Sequence, residues 1–367
     1  MDASVEIQWI AVTAAVACAL VGVFLVLRSM AMMADAISHT VLLGIVLLFF
    51  VVMDLQSPWL LIGAAAMGLI TVSLVEALNR TQLVKQDAAI ALVFPALFSL
   101  AVLLISRFAR GVHLDTDVVI LGELALAPFD RMTLGGLDLP RSLVTLLVVL
   151  ILNVTFIVLF YKELKLSTFD PALAAALGFS PALLHYGLMA LVSVTAVGAF
   201  DAVGAVLVVA LIVTPAAAAY LLTDDLRRML LISVLIGAGS ALAGYWLARL
   251  LDANIAGSMA TMTGVVFMVV LILAPRRGLL ATARRHKRQR WEFAQAMLAI
   301  HLLHHESTPQ ATQANRADQL QEHLRWQPSF AARVVHSAER NGILYSESGL
   351  LKLTERGRSL AESAMVR

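Results

Sequence analysis

The sequence predicts an all-α integral membrane protein: a bundle of eight or nine transmembrane helices over residues 1–275, a basic juxtamembrane stretch at 276–290 and a small soluble domain over 291–367. Three observations predict it. The 367 residues are 60% hydrophobic and only 14% charged, with a mean hydropathy of +0.85, whereas a soluble domain carries about 25% charge. Stretches without Asp, Glu, Lys or Arg recur at the length of roughly 20 residues that a bilayer core demands. Hydrophobicity then stops abruptly at Pro275.

The spans follow in order. The first occupies 7–27, preceded by "MDASVEIQ", which is acidic and lacks the cationic region of a cleavable signal peptide, so this run is expected to stay as an anchor. Its Cys18, the single cysteine of the chain, reads as a small buried apolar residue. A second span, about 31–53, contains "MADAISHTVLLGIVLLFF" and hence Asp35 and His39. Uncharged runs at 55–75, 88–106 and 142–161 supply three more. About 182–200, which holds His185, and the runs at 202–223, 229–248 and 253–275 complete the set. Pro215 inside one of these frees a backbone carbonyl, and "PAAAA" lets another helix come close, a packing signature.

Basic residues tend to stay cytoplasmic. Arg80 and Lys85, Lys162 and Lys165, Arg227 and Arg228, and "RRGLLATARRHKRQR" from Arg276 share one side if nine spans are counted with the N-terminus outside. The C-terminus is then cytoplasmic, while Arg107, Arg110, Arg131 and Arg141 fall outside. Glu76, Glu123 and Asp201 lie near predicted membrane boundaries, where interfacial solvation and a part in ion access explain them equally well.

The stretch from Arg276 to Arg290 holds seven basic residues and no acid, suited to anionic headgroups. Beyond it, helices are expected at Trp291–Glu306, Ala314–Trp326 and from Pro328 to Arg340. "NGILYSESGLLKLTERG" places apolar stretches on both sides of a turn, with Thr354 able to cap a last helix. Helices followed by a hairpin resemble a winged helix, and "LTERGRSLAESA" resembles the LT-x-x-G-x-x-x-A ending of metal-dependent repressors of the diphtheria-toxin-repressor type. The tail nevertheless has eight Lys plus Arg against eight Asp plus Glu, and nucleic-acid binding needs a basic excess. The expected role is protein interaction or regulation rather than DNA binding. His301, His304 and His305 in "AIHLLHHE" have spacings that can align imidazoles for a metal; nothing nearby in sequence completes a ligand set, which favours the polar face of an amphipathic helix.

Asp35 and His39 are one helical turn apart, with Ser38 beside them. An ionisable group at the bilayer centre costs about 2.5–3.5 kcal/mol on insertion scales and normally faces a bundle interior or a water-filled path. Carboxylate and imidazole together suit Mn(II), Fe(II) or Zn(II). The plainer reading has Asp35 capping a helix start and His39 bonded to a neighbour.

"LRSMAMMADAISHTVLLGIVLLFF" resembles the R-G-M-x-L-M-G-D-A-[IL]-S-H-A-V-L-P-G segment of the ABC-3 family, the permease subunits of bacterial manganese, zinc and iron ABC importers. "VVILGELALAPFD", "FDPALAAALG" and "VGAVLVVALIVTPAAAAYLL" are similar, in order, to three further segments of that family, so that the resemblance spans residues 10 to 280. Ala34 and Leu43 replace a glycine and a proline of the family pattern, and "GSMATMTGVVF" is only loosely like its last helix. The resemblance implies a permease that forms a homodimer or pairs with a related chain in the bacterial inner membrane. It also implies two cytoplasmic ATPase partners and an extracytoplasmic metal-binding protein.

It further implies that the metal passes Asp35 and His39, and that Phe169, Asp170, Pro171, Ala175 and Gly178 form a short helix docking on the ATPase. Manganese leads, with iron and zinc behind it, because the tail resembles domains of manganese and iron regulators. The chain has no G-x-x-x-x-G-K-[ST], so ATP hydrolysis falls to a partner and the chain itself is not expected to be an enzyme. No permanently bound cofactor is expected. A membrane-anchored metal-responsive regulator and a siderophore- or cobalamin-type permease are the competing readings; the neutral tail and the coupling segment disfavour the first, the acid–imidazole pair the second.

Overall fold

The computed structural model describes residues 2–53, 57, 59–108, 124–134, 137–306, 324, 326–347 and 349–365. The chain divides into two compact units, Met1–Gly278 and Leu279–Arg367. Of the helix expected over 314–326 only Leu324 and Trp326 are described, and residues 118–123 of "VVILGELALAPFD", Glu123 included, lie outside the described residues.

In the first unit, α1 (Ala3–Leu27) is apolar on every side and buried through most of its length, the pattern of a helix at the centre of a bundle. It stops where Ser29 takes a left-handed conformation (φ 58°) and the Met30 N–H reaches back to the Leu25 carbonyl at 2.8 Å. Such a six-to-one bond closes a helix end. α2 (Ala31–Val52), α3 (Trp59–Arg80) and α4 (Gln86–Phe108) follow. A 3₁₀ turn at Ala127–Phe129 leads into an antiparallel hairpin of β1 (Arg131–Leu134) and β2 (Leu137–Pro140), which the all-α expectation omitted. Arg131 fastens this hairpin to α1. Its guanidinium lies 3.1 Å from the Glu6 carboxylate, whose side chain is only 4% exposed, and 2.7 Å from Asp138.

α5 (Arg141–Leu159), α6 (Tyr161–Phe169), α7 (Pro171–Ala176), α8 (Pro181–Leu222), α9 (Leu226–Leu251) and α10 (Ile255–Leu273) complete the unit. Among the described residues, eight helices, α1–α5 and α8–α10, are long and apolar enough to cross a membrane. α8 is the anomaly at 42 residues, roughly 63 Å if straight, twice a bilayer core of about 30 Å. It is broken at Gly204 (φ 77°, ψ 163°), a region of backbone space open almost only to glycine.

Contacts show that the chain reverses there. α1 and α5 run the same way, since Glu6 and the start of α5 both meet the β1–β2 hairpin while Arg28 meets Ser167 and Thr168 beyond the end of α5. Along α5, Gly187 packs on Phe156 and Gly198 on Val149, so the first arm of α8 is antiparallel to both. Thr195 sits level with Ala17 through Asn153. The Ile212 carbonyl touches Gly22, further toward the Arg28 end. A straight helix would carry Ile212 about 25 Å onward from Thr195; instead it returns about 7.5 Å, the rise from Ala17 to Gly22. α8 is therefore two oppositely directed arms, 181–203 and 204–222, which correspond to the two runs expected at 182–200 and 202–223.

Small residues permit the closest crossings. A Cβ on Gly22 would lie 1.8 Å from the Ile212 carbonyl oxygen, and one on Gly44 of α2 would lie 2.3 Å from that of Gly63 on α3, the small-residue packing of membrane helices. Thr71 adds a hydroxyl bond to Thr40 at 2.8 Å across α2 and α3.

The second unit comprises α11 (Leu279–His305), α12 (Pro328–Arg340), the hairpin β3 (Leu344–Glu347) and β4 (Leu350–Leu353), and α13 (Glu355–Met365). Residues 279–290 of the basic stretch form the first turns of α11. Leu298, Leu302, Val334, Leu344 and Leu351 build its core. Thr354 caps α13 by accepting the Gly357 N–H at 3.1 Å. Gly357, in the "LTERG" string, has no room for a side chain: a Cβ would stand 2.0 Å from the Ile343 carbonyl.

Candidate functional site

α2 carries Asp35 and His39 on one face, with His39 Nε2 3.5 Å from Asp35 Oδ1. Their side chains are 39% and 41% exposed within an otherwise apolar helix. The His39 ring is held by α4: it stacks on Phe94 at 5.5 Å between centroids and meets Phe98 edge-on at 5.8 Å. The opposite side of α2 is fixed by Thr40 to Thr71 and by the Gly44–Gly63 crossing. The pair therefore stands on a clamped helix with one hard oxygen and one borderline nitrogen pointing the same way.

Ser38 does not join them. It is buried and donates to the Ala34 carbonyl at 2.8 Å, the back-bond usual for serine within a helix. Among the described residues, no three of His, Cys, Asp and Glu converge as a metal site. Asp35 and His39 thus bring together one carboxylate and one imidazole. In the second unit the His301 and His305 rings are 4.5 Å apart, with His304 5.3 Å from His305, and His305 Nδ1 is bonded to the His301 carbonyl at 2.9 Å.

Phe169, Asp170, Pro171, Ala175 and Gly178 come together around α7. Asp170 accepts the Leu173 N–H at 2.9 Å, and Pro171 occupies the first turn. Gly178 is left-handed (φ 87°), and the Phe179 N–H returns to the Ala174 carbonyl at 3.1 Å. These are the ordinary devices for a defined two-turn helix. Around it Phe169, Leu173, Leu177 and Phe179 are all exposed. Sequence reasoning missed Leu173, Leu177 and Phe179; the signal available was apolar side chains in a short segment between two spans. It also missed Arg28, half-buried where α6, α8 and the α1–α2 turn meet. Asp201 is exposed just before the Gly204 reversal.

Apolar spanning helices that carry an acid–imidazole pair and present a capped, exposed two-turn helix between two spans define a multi-pass permease-type membrane protein. The chain belongs to the ABC 3 transport family, which matches residues 3–274. It is 48% identical over 362 residues to the zinc transport system membrane protein TroD of Treponema pallidum, covering 99% of both chains. It is also 48% identical over 271 residues to the manganese transport system membrane protein MntD of Bacillus subtilis, covering 74% of this chain and 92% of that one. Among solved structures it resembles PsaBC from Streptococcus pneumoniae in complex with Fab, with a TM-score of 0.64 and 26% identity over 76% of this chain and 94% of that one.

Proposed function

We propose that the chain is the permease subunit of an ATP-driven importer of a divalent first-row metal, and that the ion passes Asp35 and His39. The observation that carries this reading is that pair: a carboxylate and an imidazole 3.5 Å apart in an apolar helix, with the imidazole held by two aromatic rings. Two ligands offset part of the ion's dehydration without trapping it. A second permease chain supplies the matching pair. Manganese(II) leads; the relatives named for zinc and manganese make zinc(II) the first competitor, followed by iron(II).

Exposed apolar side chains around α7 support docking of a cytoplasmic ATPase there. An extracytoplasmic binding protein delivers the metal at the opposite end of the bundle, the N-terminus lies outside and the second unit is cytoplasmic. Its helices, hairpin and capped last helix support a winged-helix regulatory module acting on the permease rather than on DNA. The test is uptake of manganese(II) and zinc(II) into proteoliposomes holding the permease, ATPase and binding protein. Asp35→Asn and His39→Ala should each lower uptake at least about tenfold, a loss of about 1.4 kcal/mol or more. Wild-type rates from both would refute the pathway.

A further inference from the structure

We infer that Arg28 is a positioning residue of the transport cycle, joining the segment around α7 to the helix that bears the Asp35–His39 pair; this rests on the proposed function. Arg28 lies in the turn between α1 and α2. Its Nε donates to Thr168 Oγ1 at 3.2 Å and its Nη2 to Ser167 Oγ at 3.1 Å, both in the last turn of α6 just before Asp170. Its Nη1 lies 3.3 Å from His185 Nδ1, in the first turns of α8. One guanidinium thus holds the coupling segment, the α1–α2 turn and α8 together, and its planar fork of donors suits that task.

The linkage continues to α3. Arginine has only donors, so His185 Nδ1 accepts, and the neutral ring carries its hydrogen on Nε2. That nitrogen faces Glu76 Oε2 at 4.0 Å. This oxygen is buried and has no hydrogen bond of ordinary geometry. The other carboxylate oxygen binds Arg80 at 2.6 Å. α3 is in turn bound to α2 through Thr71–Thr40 and the Gly44–Gly63 crossing. A displacement of α6 and α7 therefore reaches α2 by two routes: directly through the Arg28 turn, and through His185, Glu76 and α3. The single unmade bond, His185 to Glu76, is the one that closure by about 1 Å would supply.

Glu76 and His185 also line a cavity of about 200 Å³ with Met30, Met33, Asn79 and Gln86, a donor set that invites comparison with a second metal station. The hydrogen-bond pattern opposes it. A metal on Nε2 needs the hydrogen on Nδ1, normally donated to an acceptor, yet Nδ1 here faces an Arg28 donor. Arg28 and Arg80 would add two positive charges beside the ion.

The experiment measures ions imported per ATP hydrolysed in proteoliposomes containing the complete transporter, with manganese(II) and zinc(II) as probes. Ser167→Ala with Thr168→Val removes the acceptors on α6 and leaves Arg28 in place; Glu76→Gln acts at the far end and keeps the side-chain shape. Both assembled complexes should hydrolyse ATP within about twofold of wild type while importing about fivefold fewer ions per ATP, the low end of coupling between sites. A ratio unchanged in both variants, including one in which uptake and hydrolysis fall together, overturns the linkage. Wild-type vesicles that import neither metal would instead overturn the proposed function, so the two failures are distinct.

Discussion

Replacing Gly204 by alanine tests the reversal of α8 through the sign of a stability change. If residues 181–222 formed one continuous helix, alanine would be favoured over glycine by about 1 kcal/mol. At φ 77° and ψ 163° a side chain instead costs about 1–3 kcal/mol, offset by about 0.4–1 kcal/mol from the stiffer unfolded chain. The expected net is a loss centred on about 1.3 kcal/mol and reaching at most about 2.6 kcal/mol, a factor of roughly ten at the centre in the ratio of folded to unfolded protein. Reversible unfolding in mixed micelles by increasing SDS, followed by tryptophan fluorescence, reads this directly. Gly204→Ala should unfold at a lower SDS fraction than wild type. Equal or greater stability would refute the two-armed α8.

Ser29 occupies a left-handed turn without being glycine, so Ser29→Gly should stabilise the protein by about 1 kcal/mol in the same titration. Asp170→Ala removes the cap on α7, costing about 1 kcal/mol locally; metal-stimulated ATP hydrolysis in the assembled complex should fall while membrane insertion persists. Deletion after Gly278, the boundary between the two units, should leave uptake intact but alter its response to internal metal, checked by uptake at graded vesicle-lumen manganese concentrations.

The spans were legible because lipid demands length and apolarity together, and nothing else in a chain produces uncharged runs such as 142–161 or 253–275. The acid–imidazole pair was legible for the converse reason: ionisable groups stand out in such a run, and helical periodicity alone places them on one face. Ser38 was misplaced beside them because sequence spacing does not reveal that its hydroxyl prefers the Ala34 carbonyl. The β1–β2 hairpin went unread although "TLGGLDL" holds a glycine pair between apolar residues; strands of four residues give almost no periodic signal. Basic charge suggested a juxtamembrane segment at 276–290, but its leucines, alanines and arginines are also good helix formers, and 279–290 continue into α11. Arg28 escaped because its partners lie 139 to 157 residues away, a distance that only the fold can close.

The central position of α1 also sets an order of events during biosynthesis. It emerges first, yet the groups it packs against belong to helices made much later: Asn153, Ile212 and, 214 residues after Ala19, Ser233. At about 5–20 residues per second, α1 waits in the membrane for roughly 10–40 s before its last neighbour is available. Cys18, the chain's single thiol, is fully buried once those helices have closed around it. Loss of its reactivity toward a membrane-permeant maleimide, followed on arrested nascent chains of increasing length, would time the closing of the bundle with no engineered label.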